Sequence, residues 1–267
     1  MIRVLTIVPL LVSLSVLSGS CILSSNVDDF EFELPEKSFH FDTGQVSPPA
    51  VTTIQCTASP DSCAAVSDDL HCNTSNLCEV TNPLVLPTIP CSSHADCTVL
   101  GENFSCETGV GACMATVSFE LSNSVNLADE VPELETIGQS SFTSVHFKYI
   151  RMFVEENTFS VDTPLIEFYI APPSVATLWV AGANGPELDP EVEKIGSVPV
   201  ISASTSGHSV DVNLYEGGEA ALTGYCRNPA DPFQLFVYAE MTFHAGEPIP
   251  QGALTLKVDA AAIVSLN

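Results

Sequence analysis

The chain has 267 residues, of which 45% are hydrophobic and 15% charged, enough length and apolar content for one core plus a small satellite domain. Its 33 acids against 7 bases give a formal charge of −26, a field that argues against nucleic acid and anionic lipid surfaces as partners. The acids are scattered and charged residues sparse, which excludes a disordered acidic brush.

Met1-Ile2-Arg3 carries one positive charge, and Val4 to Leu17 is apolar apart from Thr6, Pro9, Ser13 and Ser15. Leu17-Ser18-Gly19-Ser20-Cys21 closes the run. A positive tip, a short apolar stretch and small residues before a cleavage point form a secretory signal over residues 1–20. The stretch is shorter than the roughly 20 residues a membrane span needs. Small residues ending in cysteine resemble the lipobox of bacterial lipoproteins, which implies that Cys21 becomes the lipidated N-terminus and that residues 21–27 form a tether. The motif usually carries Leu where this chain has Ser18; an ordinary signal peptide cut near Ser20 is the alternative. Ile22 stands where an Asp would mark inner-membrane retention, so the resemblance implies the outer membrane or cell surface. Without the lipid the protein would be secreted or periplasmic.

In Asp28-Asp29-Phe30-Glu31-Phe32-Glu33-Leu34 apolar residues alternate with acids, and Ser38-Phe39-His40-Phe41-Asp42 alternates again beyond Pro35-Glu36-Lys37. Two short β segments are expected. Exposing four phenylalanines in a flexible tether is costly, so residues 28–44 are expected to pair with the C-terminal domain as its first strand or strands.

Ten cysteines in an exported chain imply disulfides. Eight fall in residues 52–113, as Cys56, Cys63, Cys72 and Cys78, then Cys91, Cys97, Cys106 and Cys113. The natural parse is two four-cysteine units joined by the proline-rich linker 82–90, inserted after the first strand. Zinc ligands normally pair two to four residues apart, and no such pair exists here. Four cysteines allow three connectivities; sequence does not choose, and the crossed pairing, first to third and second to fourth, is preferred because it ties each unit into one knot. The second unit, Cys91-Ser92-Ser93-His94-Ala95-Asp96-Cys97 through Gly109-Val110-Gly111-Ala112-Cys113, resembles the short cysteine-rich repeats of large exported bacterial proteins. It is more distantly similar to the N-terminal cysteine-rich region of Dickkopf-type secreted proteins, but lacks that family's adjacent cysteine pair, and no signalling role is carried over.

From residue 114 to 267 the texture is strand-like. Val145, Phe147, Tyr149, Arg151 and Phe153 alternate with His146, Lys148, Ile150, Met152 and Val154; Phe233 to Phe243 alternates similarly, and Leu254, Leu256, Val258, Ala260, Ala262, Val264 and Leu266 share one parity. Shorter candidates are 116–121, 165–170, 177–180, 198–202, 210–214 and 220–222, separated by Gly/Pro/Asn/Asp turns. About eight strands so punctuated predict an antiparallel β-sandwich, of which the jelly roll is one form. Single helical turns are expected at 189–194 and 129–136.

No nucleophile elbow, zinc-protease pair, Walker loop or dinucleotide fingerprint occurs. His208, Ser209 and Asp211 lie close in sequence, but a strand puts residues 209 and 211 on one side and His208 on the other. The six histidines show no ligand spacing, and no metal or cofactor is implied. Glu216, Glu219, Asp129, Glu130, Glu133 and Glu135 offer oxygens to calcium without a complete loop signature. Cys226 is left over and is expected to be a buried small hydrophobe. Trp179, the sole tryptophan, is expected in the core. The architecture resembles exported bacterial lipoproteins with a cysteine-rich region. That implies a non-catalytic structural or envelope-interaction role, with a membrane anchor and an envelope protein as partners; a glycan-binding sandwich, with or without calcium dependence, is the alternative.

Overall fold

The computed structural model describes residues 29–43, 51–58, 61–101, 103–131, 134, 142–182 and 185–266. Cys21 and the expected signal and tether lie outside the described residues. The chain opens with β1 (Asp29–Asp42) and enters the cysteine-rich segment, with β2 (Val51–Gln55), β3 (Leu70–Cys72), β4 (Leu77–Val80), a helical turn α1 (His94–Cys97) and β5 (Phe104–Glu107). There follow β6 (Ala112–Val125), the turn α2 (Leu127–Glu130), β7 (Phe142–Asn157), β8 (Ile166–Ala171), and a hairpin of β9 (Trp179–Gly182) and β10 (Gly185–Leu188). The last part holds β11 (Glu193–Val198), β12 (His208–Asp211), β13 (Asn213–Leu214), helix α3 (Gly218–Cys226), β14 (Phe233–Phe243) and β15 (Ala253–Leu266).

β1 pairs with β15, β6 with β14, β7 with β12 and β8 with β11, all antiparallel. Outermost pairs with outermost and innermost with innermost, as in one long hairpin rolled upon itself, and that is the jelly roll. Lateral pairing of β15 with β7 and of β14 with β8 gathers the strands into a four-stranded sheet, β1-β15-β7-β12, and a six-stranded sheet, β13-β11-β8-β14-β6-β5. The sheets share one core. Phe41 of β1 meets Phe119 of β6 edge-on, ring centres 5.7 Å apart. Leu254, Leu256, Val258, Ala260, Ala262 and Val264 of β15 are all buried, the single parity the sequence predicts.

β1 is one strand rather than two segments. Leu34 pairs with Ala260 and Lys37 with Val258, so Pro35 and Glu36 bulge opposite Asp259 alone. Proline has no N–H to give a ladder, and a bulge on an edge strand tolerates it. The bulge switches parity: Phe32 is buried before it, Phe39 and Phe41 after it. β7 behaves alike. Bulges near Lys148 and Glu155 break a simple two-face reading, so the buried set runs Val145, Phe147, then Met152 and Val154, then Asn157.

Residues 220–222 form part of α3, not a strand. Ala, Leu and Glu favour helix, and the two preceding glycines permit its approach. Gly217 sits at φ 86°, and a Cβ on Gly218 would stand 2.0 Å from the Ile195 carbonyl oxygen of β11. The helix is tied to β7 by Thr223 Oγ1 donating to the Val145 carbonyl at 2.9 Å. The turn expected at 189–194 is a reverse turn: Asp189 accepts from the Glu191 amide, and β11 already begins at Glu193, earlier than the expected 198–202 strand. The expected 210–214 strand is two, because the chain crosses at Val212 from the four-stranded sheet to the six-stranded one. The helical turn expected at 129–136 starts earlier, capped by Asn126 accepting from the Ala128 amide.

Candidate binding face

The two cysteine units are built alike. Cys72 and Cys78 are opposed on the β3–β4 hairpin, and Cys106 and Cys113 on the β5–β6 hairpin. Each hairpin sends both cysteines back to the segment before it: Cys56–Cys72 and Cys63–Cys78, Cys91–Cys106 and Cys97–Cys113. The pairing is crossed in both units. An aspartate braces the segment before each hairpin. Asp61 accepts from the Cys63 and Cys72 amides at 2.9 and 3.0 Å, and Asp96 from the Ser92 and Ser93 amides at 2.8 Å each. Those amides hold Asp96 at a pKa of about 2.

The units differ in attachment. The first makes its own three-stranded sheet, β2-β4-β3, whereas the second hangs on β6, which runs unbroken from Ala112 through Cys113 to Val125 into the sandwich. The expected boundary at residue 113/114 therefore falls inside a strand. The linker is docked as well: the Leu86 amide donates to Glu247, and the Gly246 and Ile249 amides donate to Leu86 and Leu84, with Leu86 and Ile89 buried.

Among the described residues, the trios of His, Cys, Asp or Glu that converge tightly enough to hold a metal are Cys56, Cys63, Cys78 and Cys91, Cys97, Cys113, whose sulfurs are in disulfides. Of the acids that could offer oxygens to calcium, Glu130 bonds Lys37, Glu219 bonds His146 and Asp129 accepts from Asn126, while Glu133 and Glu135 lie outside the described residues. On β12, Ser209 and Asp211 are exposed while His208 and Val210 are half-buried on the other side. Cys226 is buried within α3, and burial alone pushes its thiol up to about 12.

A polar and aromatic cluster lies on the outer face of the six-stranded sheet. Register places Glu120, Tyr238 and Glu167 in one row across β6, β14 and β8, with Phe236, Tyr169 and Lys194 in another. Core residues Ile166, Phe168 and Ile170 take the opposite parity of β8, so Glu167 and Tyr169 lie on the outer face, Glu167 half-buried and Tyr169 buried. Tyr169 donates to Glu167 Oε2 at 2.7 Å, and Lys194 bonds the other oxygen, Oε1. Tyr238 donates to Glu240 at 2.9 Å. Burial first, and then the carboxylate each phenol touches, keep Tyr169 and Tyr238 protonated far above the usual range. Burial opposes the charge on Lys194, but its bond and attraction to Glu167 outweigh that and raise its pKa.

Two more aromatics flank this cluster. Trp179, at the start of β9, packs edge-on against Tyr238 with ring centres 5.5 Å apart and is half-buried, against a second buried cluster that joins Val175, Leu178 and Val192 to Tyr169, Phe236 and Tyr238. Tyr215 lies on the other side, 37% exposed, with Lys194 Nζ 4.8 Å from its ring centre. Trp179 thus sits at the rim of a small core. The remaining residues are absent from the expected site. Their one signal in sequence is aromatic and acidic residues sharing the non-core parity, as in Glu167/Tyr169 and Phe236/Tyr238/Glu240.

No family model matches the chain, and no curated protein matches it. Among solved structures, a chain of Desmodium yellow mottle tymovirus aligns at 11% identity over 58% of this chain and 82% of that one, TM-score 0.23. A chain of tobacco necrosis virus aligns at 11% identity over 58% and 96%, TM-score 0.22. The jelly roll is established by the strand order itself.

Proposed function

We propose that the protein is a non-catalytic lipoprotein of the bacterial outer membrane or cell surface, anchored through Cys21 and acting in contacts with other envelope components. The observation that supports this reading best is the set of four crossed bridges, a framework that needs an oxidising, exported location. The leader and the small residues before Cys21 supply the route. β1 begins at Asp29, so the chain from Cys21 to the sandwich extends at most about 28 Å. The lipid would hold the jelly roll close to the membrane, where its acidity opposes adhesion to anionic headgroups. Two or more acyl chains give a stable anchor. The test is mass spectrometry of the mature N-terminus: a diacyl or triacyl Cys21 supports the reading, and an unmodified terminus at or after Cys21 overturns the anchor.

A second reading, glycan binding, is favoured by the outer face of the six-stranded sheet, where Trp179 and Tyr215 flank ordered carboxylates and an amine.

A further inference from the structure

We propose that the outer face of the six-stranded sheet between Trp179 and Tyr215 binds an oligosaccharide of amino sugars, with free or N-acetylated nitrogens. The proposal rests on the glycan-binding reading and gives it a site and a ligand class. Pyranose rings present C–H faces that pack on aromatic rings, and an aromatic with one dry side and one wet side suits that role. Tyr215 is 37% exposed and Trp179 half-buried, so each rests on protein and offers a surface outward. Between them lie groups of fixed orientation. Glu167 is held by the Tyr169 hydroxyl and by Lys194, and Lys194 is held over Tyr215. Held this way, the carboxylate and the amine offer an acceptor and a donor to sugar hydroxyls at little cost in side-chain entropy.

Charge selects the class of sugar. Glu167 and Glu240 stand against the single amine of Lys194, on a chain of formal charge −26. Uronic acids and phosphorylated glycans are repelled, whereas a hexosamine nitrogen, as an ammonium or as an amide N–H, is a donor these carboxylates accept. Glu240 is exposed and takes the Tyr238 hydroxyl on Oε2.

Trp179 is the only tryptophan in the chain, so tryptophan emission, excited beyond the tyrosine absorption band, reports on this face alone. The full-length protein in detergent should be titrated with oligomers of glucosamine, of N-acetylglucosamine and of galacturonate, with binding followed in parallel by calorimetry. The expected result is a saturable change in emission with one or both amino-sugar oligomers and none with galacturonate. Tyr215→Ala, at an exposed position, and Glu167→Gln should each weaken binding about tenfold, while Lys257→Ala on the other sheet leaves it unchanged. Heat released by a sugar with Trp179 emission unmoved and Tyr215→Ala neutral would overturn the site while leaving glycan binding standing. No saturable response to any oligomer at millimolar concentration would overturn both. Tighter binding of galacturonate than of either amino sugar would overturn the ligand class.

Discussion

Cys226 is 1% exposed, with its thiol pushed up to about 12 by burial, so it is a packing residue without nucleophilic character at neutral pH. Alkylation of the native protein should leave the Cys226 peptide unmodified, and alkylation in denaturant should label it fully; labelling in the native state would show that α3 opens. His244 acts differently, because it joins β14 to the cysteine-rich segment through Glu107, Nδ1 to Oε2 at 2.8 Å. Its bond to Glu107 comes first among the causes that raise its pKa, ahead of the attraction of Glu107 and Glu247. A raised folded pKa gives stability that is complete below the unfolded value, about 6.5, and is lost as pH rises through the folded value. The contact is exposed, so the effect is small. The melting temperature of the wild type should exceed that of His244→Gln at about pH 5.5 and converge with it by about pH 8.5. A difference that grows with pH would contradict this sign.

At the scale of elements, the disulfides have unequal reach. Each bridge closes a loop of 15 or 16 residues and contributes about 3 kcal/mol in the chain-entropy account. Cys113 lies on β6, whose register with β14 runs from Ala115 opposite Phe243 to Val125 opposite Phe233. Replacing Cys97 and Cys113 by alanine should therefore speed amide exchange in β14 near Thr242 and Phe243, whereas replacing Cys56 and Cys72 should leave those amides unaffected. Equal protection in both variants would show that the second unit is as detached as the first. Nothing in residues 104–107 or 112–115 announces that a cysteine hairpin continues as a sheet strand, which is why the sequence suggests a boundary at residue 113 where the structure has an unbroken strand.

Other elements show where period-two patterns carry information and where they lose it. β15 buries one parity from Leu254 to Val264, with Ala261 buried besides, so alternating apolar residues identify it without help. β7 also alternates, but bulges near Lys148 and Glu155 shift its register, and a shift of one residue turns every later side chain to the other face. In α3, tertiary contact decides: Ala220-Ala221-Leu222 fits a strand or a helix, and the close approach of Gly218 to Ile195 selects the helix. The candidate face was the least legible part. Glu167, Tyr169, Lys194, Tyr215 and Tyr238 come from separated strands, and their juxtaposition depends on a strand order that local patterns do not encode.

The whole molecule turns on β1. This strand, far from β15 in sequence, closes the four-stranded sheet beside it, and the cysteine-rich segment becomes an insertion between the first and second strands of the roll. Its inward phenylalanines, Phe32, Phe39 and Phe41, are buried, and each such side chain contributes roughly 1.5–3 kcal/mol. Scarce cations reinforce the closure from outside: Lys148 reaches Glu31 of β1, and Lys257 joins Glu36 of β1 to Glu155 of β7. Lys37 of β1 reaches Glu130 of α2, the turn that follows β6. These pairs are individually weak where exposed, but they show that β1 belongs to the sandwich on both of its faces. The most direct test is deletion of residues 22–44 followed by thermal unfolding monitored in the near ultraviolet. Loss of β1 uncovers the flank of β15 and opens the core beside Phe119, so the deleted protein should melt well below the intact one or fail to fold. Melting at the same temperature would contradict the account, making residues 22–44 a tether and the cysteine-rich segment an ordinary N-terminal domain.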